Sequence, residues 1–219
     1  MTMDIEQARF NMVEQQIRPW EVLDQRILDL FMAVPREHFV PPAFAQLAFA
    51  DTQIPLGHGE VMLEPRIEAR MLQALRVGPA DNVLEIGTGS GYTTALLAKL
   101  AHHVWSLDSV AEFTRQAEAK LAVLNIENVT LETADIFHSY ATQTGYDLIA
   151  VTGSLPMMPE DFKHRLVIGG RLFAVVGTAP LMEAQLIRRL SNSEWHTEYL
   201  FETCLPALRN APQPQTFVF

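Results

Sequence analysis

The run VLEIGTGSGYTTALLAKL, residues 83–100, constrains this chain more than any other segment. Val83, Leu84 and Ile86 suit a short buried strand, and Tyr92 to Leu100 has the length and apolar content of a helix. Between them stands Gly87-Thr88-Gly89-Ser90-Gly91. Glycines at a strand-to-helix turn let backbone pass close under a ligand, because no Cβ obstructs the approach. The spacing is G-x-G-x-G; the dinucleotide fingerprint G-x-G-x-x-G would need glycine at Tyr92, so this helix start is not shaped for a pyrophosphate.

The surrounding pattern places that turn in an α/β fold. Strand-like runs at 82–86, 103–108, 128–133, 146–153 and 171–177 alternate with helical segments at 92–100, 110–124 and 160–166. Such alternation calls for a doubly wound, mostly parallel sheet with right-handed crossovers. AQLIRRL (184–190) and EWHTEYLFET (194–203) are expected to close it as an antiparallel edge hairpin, followed by coil. The first third reads differently, with helices at 5–18 and 24–33 stopped by Pro19 and Pro35, a loop-rich stretch, and a helix opening at Pro65. The expected organisation is an N-terminal helical and substrate-loop region (1–77) packed on a core (78–219), together one compact domain.

Acidic residues then narrow the ligand. Glu85 precedes the glycine loop, Asp108 ends the next strand roughly 20 residues on, where a ribose-binding carboxylate belongs, and Asp135 ends the strand after that. Carboxylates at three consecutive strand ends suit ribose hydroxyls, an adenine amine and a positive charge, and repel a polyphosphate. S-adenosylmethionine has those features. The expected donor-binding residues are Glu85, Gly87, Thr88, Gly89, Ser90, Gly91, Tyr92, Asp108, Ser109, Ala134, Asp135 and Ile136.

Composition excludes other classes. With 16 Lys+Arg against 26 Asp+Glu the net charge is −10, and no basic stripe offsets it, so neither nucleic acid nor an acidic membrane is an expected partner. No window approaches the roughly 18 apolar residues of a membrane span, and the N-terminus lacks a signal peptide's apolar stretch, so a cytoplasmic protein is expected. A lone cysteine, Cys204, excludes an internal disulfide and reads as a small buried hydrophobe. The seven histidines lack metal-ligand spacing, and no metal is expected.

Beyond the glycine motif, MVEQQI, VPREHFVPPAF, LAFADTQIPLGHG, YDLIAVTG and LVIGGRLFAVVG together resemble the protein-L-isoaspartate (D-aspartate) O-methyltransferase family over residues 10–180. The resemblance implies the Rossmann-like methyltransferase fold, S-adenosylmethionine as donor, and methylation of isoaspartyl α-carboxylates in damaged protein. One departure concerns the acceptor. The family's G-Q-T-I-S-x-P is here Gly59-Glu60-Val61-Met62-Leu63-Glu64-Pro65, so Val61 stands for the threonine and Leu63 for the serine near the acceptor. The Gly-Asp-Gly after the third strand becomes Ala134-Asp135-Ile136. Leu63, Val61 and His58 are the expected acceptor-side positions, with Gly57, His58 and Gly59 able to offer backbone contacts.

Three readings stay open: an isoaspartyl methyltransferase holding its acceptor through other groups, a methyltransferase with a more apolar acceptor, and a non-catalytic donor-binding protein. Oligomeric state is not read from the sequence. The Thr93-Thr94 pair could bond the donor's carboxylate, with a place in the core or a bond to its own helix backbone as the other reading of Thr94; Arg18 likewise has two readings, a substrate contact or a surface salt bridge. Met157-Met158 reads as packing or as an apolar lid, and the tail from Pro206 to Phe219 as docked on the body or on a partner.

Overall fold

The computed structural model describes residues 4–138 and 145–214. Helix α1 (Ile5–Met12) opens on Asp4, whose side chain accepts the Gln7 N–H, and continues through a π-helical turn (Val13–Ile17) to a 3-10 turn at Arg18–Trp20. Helix α2 (Gln25–Ala33) is capped by the Asp24 side chain and buries Ile27, Leu28, Leu30 and Phe31. It stops at Val34, which turns extended because Pro35 follows. Within the stretch read as loop, β1 (Ile54–Gly57) and β2 (Glu60–Met62) pair as a short antiparallel hairpin. Helix α3 (Pro65–Leu75) starts with its proline in the first turn, as the sequence predicts.

The remaining elements follow the predicted alternation: β3 (Asn82–Ile86), α4 (Tyr92–Leu100), β4 (His103–Asp108), α5 (Ala111–Val123), β5 (Val129–Thr133), β6 (Tyr146–Leu155), α6 (Glu160–His164), β7 (Leu166–Thr178), β8 (Leu181–Arg189) and β9 (Trp195–Thr203). They form one seven-stranded sheet in the order β5-β4-β3-β6-β7-β8-β9. The strands from β5 to β7 pair in parallel, and β8 and β9 add the expected antiparallel edge. Strand order reverses at β3, whose neighbours are β4 and β6.

Alternation along each strand divides the apolar residues between two faces. Val83 and Leu148 join the cluster that includes Met12, Ile17, Phe31, Leu72 and Leu75, so the N-terminal helices and α3 share one core with that face of the sheet. Leu84, Ile86, Ile149 and Val151 face the other side, with Phe162 and Leu172.

A charged group lies at the centre of the first core. Arg36 is fully buried; its Nε donates to the Ala48 carbonyl at 3.0 Å, Nη1 pairs with Glu68 of α3, and Nη2 donates to the Leu63 carbonyl. Its guanidinium also lies over the Tyr92 ring, 4.9 Å from the centroid. Arg36→Met would strand the Glu68 carboxyl and two carbonyls in the core. The expected loss is about 3 kcal/mol or more, read as a lowered midpoint of urea unfolding.

Candidate functional site

A cleft opens at the carboxyl ends of β3, β4, β5 and β6. That is the point of order reversal, where ligands of open α/β sheets bind. Gly87 and Thr88 N–H both bond to the Leu107 carbonyl, at 2.8 and 3.2 Å, which draws the glycine loop against the end of β4. Gly87 has a φ of +103°, and a Cβ there would come within 2.2 Å of Thr152 Oγ1. This position therefore requires glycine for two independent reasons, conformation and space. Thr152 Oγ1 in turn donates to the Gly87 carbonyl at 2.6 Å, fixing the loop to β6.

Asp108 closes the floor. One carboxylate oxygen accepts the Gly89 N–H at 2.9 Å and the other accepts the Val110 N–H at 2.9 Å, and burial raises its pKa despite both bonds. Each oxygen keeps lone-pair capacity for a ligand hydroxyl. Asp135 accepts from Phe137 N–H, Asn210 Nδ2 and His138 Nδ1 at 2.7–2.9 Å. Burial alone would raise its pKa, and these bonds outweigh it, holding the group below the ordinary value.

Of the expected donor residues, Gly87, Thr88, Gly89, Ser90, Asp108, Ser109, Ala134, Asp135 and Ile136 line this cleft. Three are placed elsewhere. Glu85 lies fully buried beneath the loop, accepting from Thr94 and Ser106 at 2.6 Å, because its strand position faces α4 and not the cleft. Gly91 serves packing, since a Cβ there would lie 2.8 Å from that of Ala117 in α5. Tyr92 is wholly buried among Arg36, Phe31 and Phe39. Thr94 thus belongs to the core.

Of the positions expected to face the acceptor, Val61 and Leu63 line the cleft, where with Met62 they form an apolar wall, and Glu60 lines it too. His58, at a φ of +56°, turns outward to Glu112, 3.1 Å from Nε2, and is not among the lining residues. Arg18 pairs with Glu14 one turn earlier. Met157 is exposed and Met158 packs near Phe162, neither lining the cleft. Cys204 is exposed, contrary to expectation, because the chain leaves the sheet edge there.

Sequence reasoning missed Glu68, Phe113, Phe137, Thr152, Gly153, Leu208 and Arg209, which line the cleft together with Thr93, read from the sequence as able to contact the donor. Thr152 and Gly153 end YDLIAVTG and were open to inference from the order reversal. Leu208 and Arg209 arrive from the far end of the chain: Ser154 N–H donates to the Pro206 carbonyl and Leu208 N–H to that of Ser154, both at 2.9 Å. The described part of the tail therefore docks on the body; Phe217 and Phe219 lie outside the described residues. Among the described residues no group of three or more acidic, His or Cys side chains could hold a metal, and no helix is long and apolar enough to cross a membrane.

Comparison with known proteins adds a separate line. The family model for protein-L-isoaspartate(D-aspartate) O-methyltransferase matches residues 7–208. A protein-L-isoaspartate O-methyltransferase of Rhodopseudomonas palustris is 39% identical over 191 residues, 86% of this chain and 87% of that protein. Its counterpart in Aliivibrio salmonicida is 34% identical over 197 residues, 89% and 93%. In three dimensions the chain resembles a candidate enzyme of that name from Plasmodium falciparum, solved with S-adenosyl-L-homocysteine, at a TM-score of 0.80 and 18% identity over 95% of this chain and 99% of that one.

Burial raises Glu85 to about 8, against its two hydrogen bonds. The folded chain thus holds this proton more tightly than the unfolded chain, whose carboxyl titrates near 4.5, so the stability it contributes is full below 4.5 and lost as pH rises to about 8. Glu85→Gln keeps an acceptor oxygen and removes the titration. Its urea midpoint should match wild type at about pH 5 and exceed it at about pH 8.5; equal midpoints at both would show that Glu85 is not the titrating group.

Proposed function

The chain belongs to the protein-L-isoaspartate(D-aspartate) O-methyltransferase family, and on that footing we propose that it methylates the α-carboxylate of isoaspartyl residues in damaged proteins and peptides, using S-adenosylmethionine. When bound, that donor supplies an electrophilic sulfonium methyl: a carboxylate oxygen bonds the methyl carbon as the carbon–sulfur bond breaks, the electron pair stays on sulfur, and no proton moves. The acceptor is already ionised at neutral pH, so the chain's residues position and exclude water more than they exchange protons.

The observation that carries this reading is the charge of the cleft. Glu60, Asp108 and Asp135 line it, with Glu68, whose charge the buried Arg36 offsets, and with Arg209 the only Lys or Arg among the described lining residues. Such a site favours a ligand bearing cations and no phosphate. The Gly87–Ser90 backbone offers the close approach a nucleoside needs, Asp108 suits ribose hydroxyls, and Ala134, Ile136, Phe137 and Leu208 offer apolar contact for a flat base. Residues 78–219 would hold the donor and residues 1–77 would present the acceptor through β1 and β2. A cytoplasmic setting and a protein or peptide substrate go with this reading.

The apolar wall of Val61, Met62 and Leu63 favours a second reading, in which the acceptor carries a hydrophobic group. Methyl transfer from labelled S-adenosylmethionine to an isoaspartyl peptide, scored as base-labile ester against the normal aspartyl twin, separates the two. Ester on the isoaspartyl peptide alone is expected. Donor binding without ester would overturn the repair reading and favour the hydrophobic acceptor. As a control on the donor site, Asp108→Ala should weaken donor binding at least about tenfold, measured by calorimetry.

A further inference from the structure

The acceptor loop presents an unresolved electrostatic problem. An incoming carboxylate must enter a cleft lined by Glu60, Asp108 and Asp135 beside the Arg36-paired Glu68, and by Val61 and Leu63, whose side chains have no hydrogen to donate. Arg209 is the cationic side chain on that path. It is carried there by a segment with built anchors: fully buried Ser154 donates its Oγ to the Leu205 carbonyl at 2.9 Å, and the 206–208 backbone bonds to Ser154 on both sides. One residue further, Asn210 Nδ2 donates to Asp135 at 2.7 Å. The segment thus spans the cleft from Asp135 on the donor side to the β1–β2 turn.

At that turn Arg209 Nη2 donates to the His58 carbonyl at 2.6 Å, while its Nε stands 3.5 Å from Glu60 Oε1. The first contact fixes the guanidinium; the second is too long for a strong hydrogen bond and leaves the Nε side open to a better partner. Glu60 is held there against its own preference, since burial and then the nearby Asp108 both disfavour its charge, with Arg209 acting the other way. We propose that Arg209 binds the acceptor carboxylate in place of the absent loop hydroxyls, and that Glu60 occupies the same guanidinium edge until substrate displaces it. A planar fork matches a carboxylate geometrically, and a charge-assisted bond outweighs one from a neutral hydroxyl. This rests on the isoaspartyl reading above.

The test uses the full chain, S-adenosylmethionine, and an isoaspartyl peptide, with KM and kcat for peptide measured beside donor affinity by calorimetry. Arg209→Met should raise the peptide KM about tenfold or more with donor affinity unchanged, Arg209→Lys should fall between, and Glu60→Gln should lower KM by removing the competitor. A peptide KM equal to wild type in Arg209→Met, or a loss of donor affinity as large as the loss for peptide, would overturn the assignment while leaving the reaction intact. Absence of ester from the wild type as well would overturn the reaction and the assignment together.

Discussion

The burial of Arg36 is the constraint on which the arrangement depends. A guanidinium in an apolar core must have its donors met, or the cost of its lost hydration would exceed what packing returns. Here they are met by groups far apart in sequence: the Ala48 carbonyl, the Leu63 carbonyl and the Glu68 carboxylate. Apolar contacts alone let helices slide over a sheet with small penalties, whereas a directional cation with three partners has one position. Arg36 thereby sets where β2 hands over to α3, and so where the acceptor wall stands relative to the sheet.

Glu68 links that anchor to the cleft. It accepts from Arg36 and, at 3.0 Å, from Thr93 of α4, and burial pushes it up to about 7. The donor floor has its own buried polar network, in which Thr88, Ser106, Glu85 and Thr94 interlock beneath the glycine loop. Both networks hold their carboxyls beneath or beside the cleft without exposing them to bulk water. The two halves of the site are therefore positioned by separate hydrogen-bonded frameworks that meet at α4, where Tyr92, Thr93 and Thr94 point to three different surroundings.

The fold was largely readable because it follows from local patterning. Period-two apolar runs, the helix-length segments between them and the prolines at 35 and 65 each act over a few residues, and the structure follows them closely. Pro19, expected to stop the first helix, instead sits inside the 3-10 turn Arg18–Trp20, and the helical stretch ends at Glu21, whose φ is +59°. The β1–β2 hairpin was not readable, since its turn has three consecutive residues of positive φ at Gly57, His58 and Gly59 and little apolar alternation. Of the residues expected to hold the donor, those of the glycine loop from Gly87 to Ser90 and those at the strand ends line the cleft. Glu85 and Tyr92 were placed in the site by the same reasoning and lie beneath it, because adjacency along a strand or a helix start does not say which face a side chain takes.

What the sequence determined by itself was the class of sheet, the glycine turn at its switch point and the acidic character of the ligand site, all consequences of short-range periodicity and residue chemistry. What only the tertiary structure decided was which distant groups close the site. Nothing near Arg209 in the chain marks it for the cleft; it arrives because Ser154, at the end of β6, captures the backbone of the tail. Nothing near Arg36 marks it for burial, since a guanidinium is ordinarily a surface group. Both outcomes depend on hydrogen-bond partners that become neighbours only when the chain has folded, and a pairing between residues a dozen or more positions apart leaves no local trace in a single sequence.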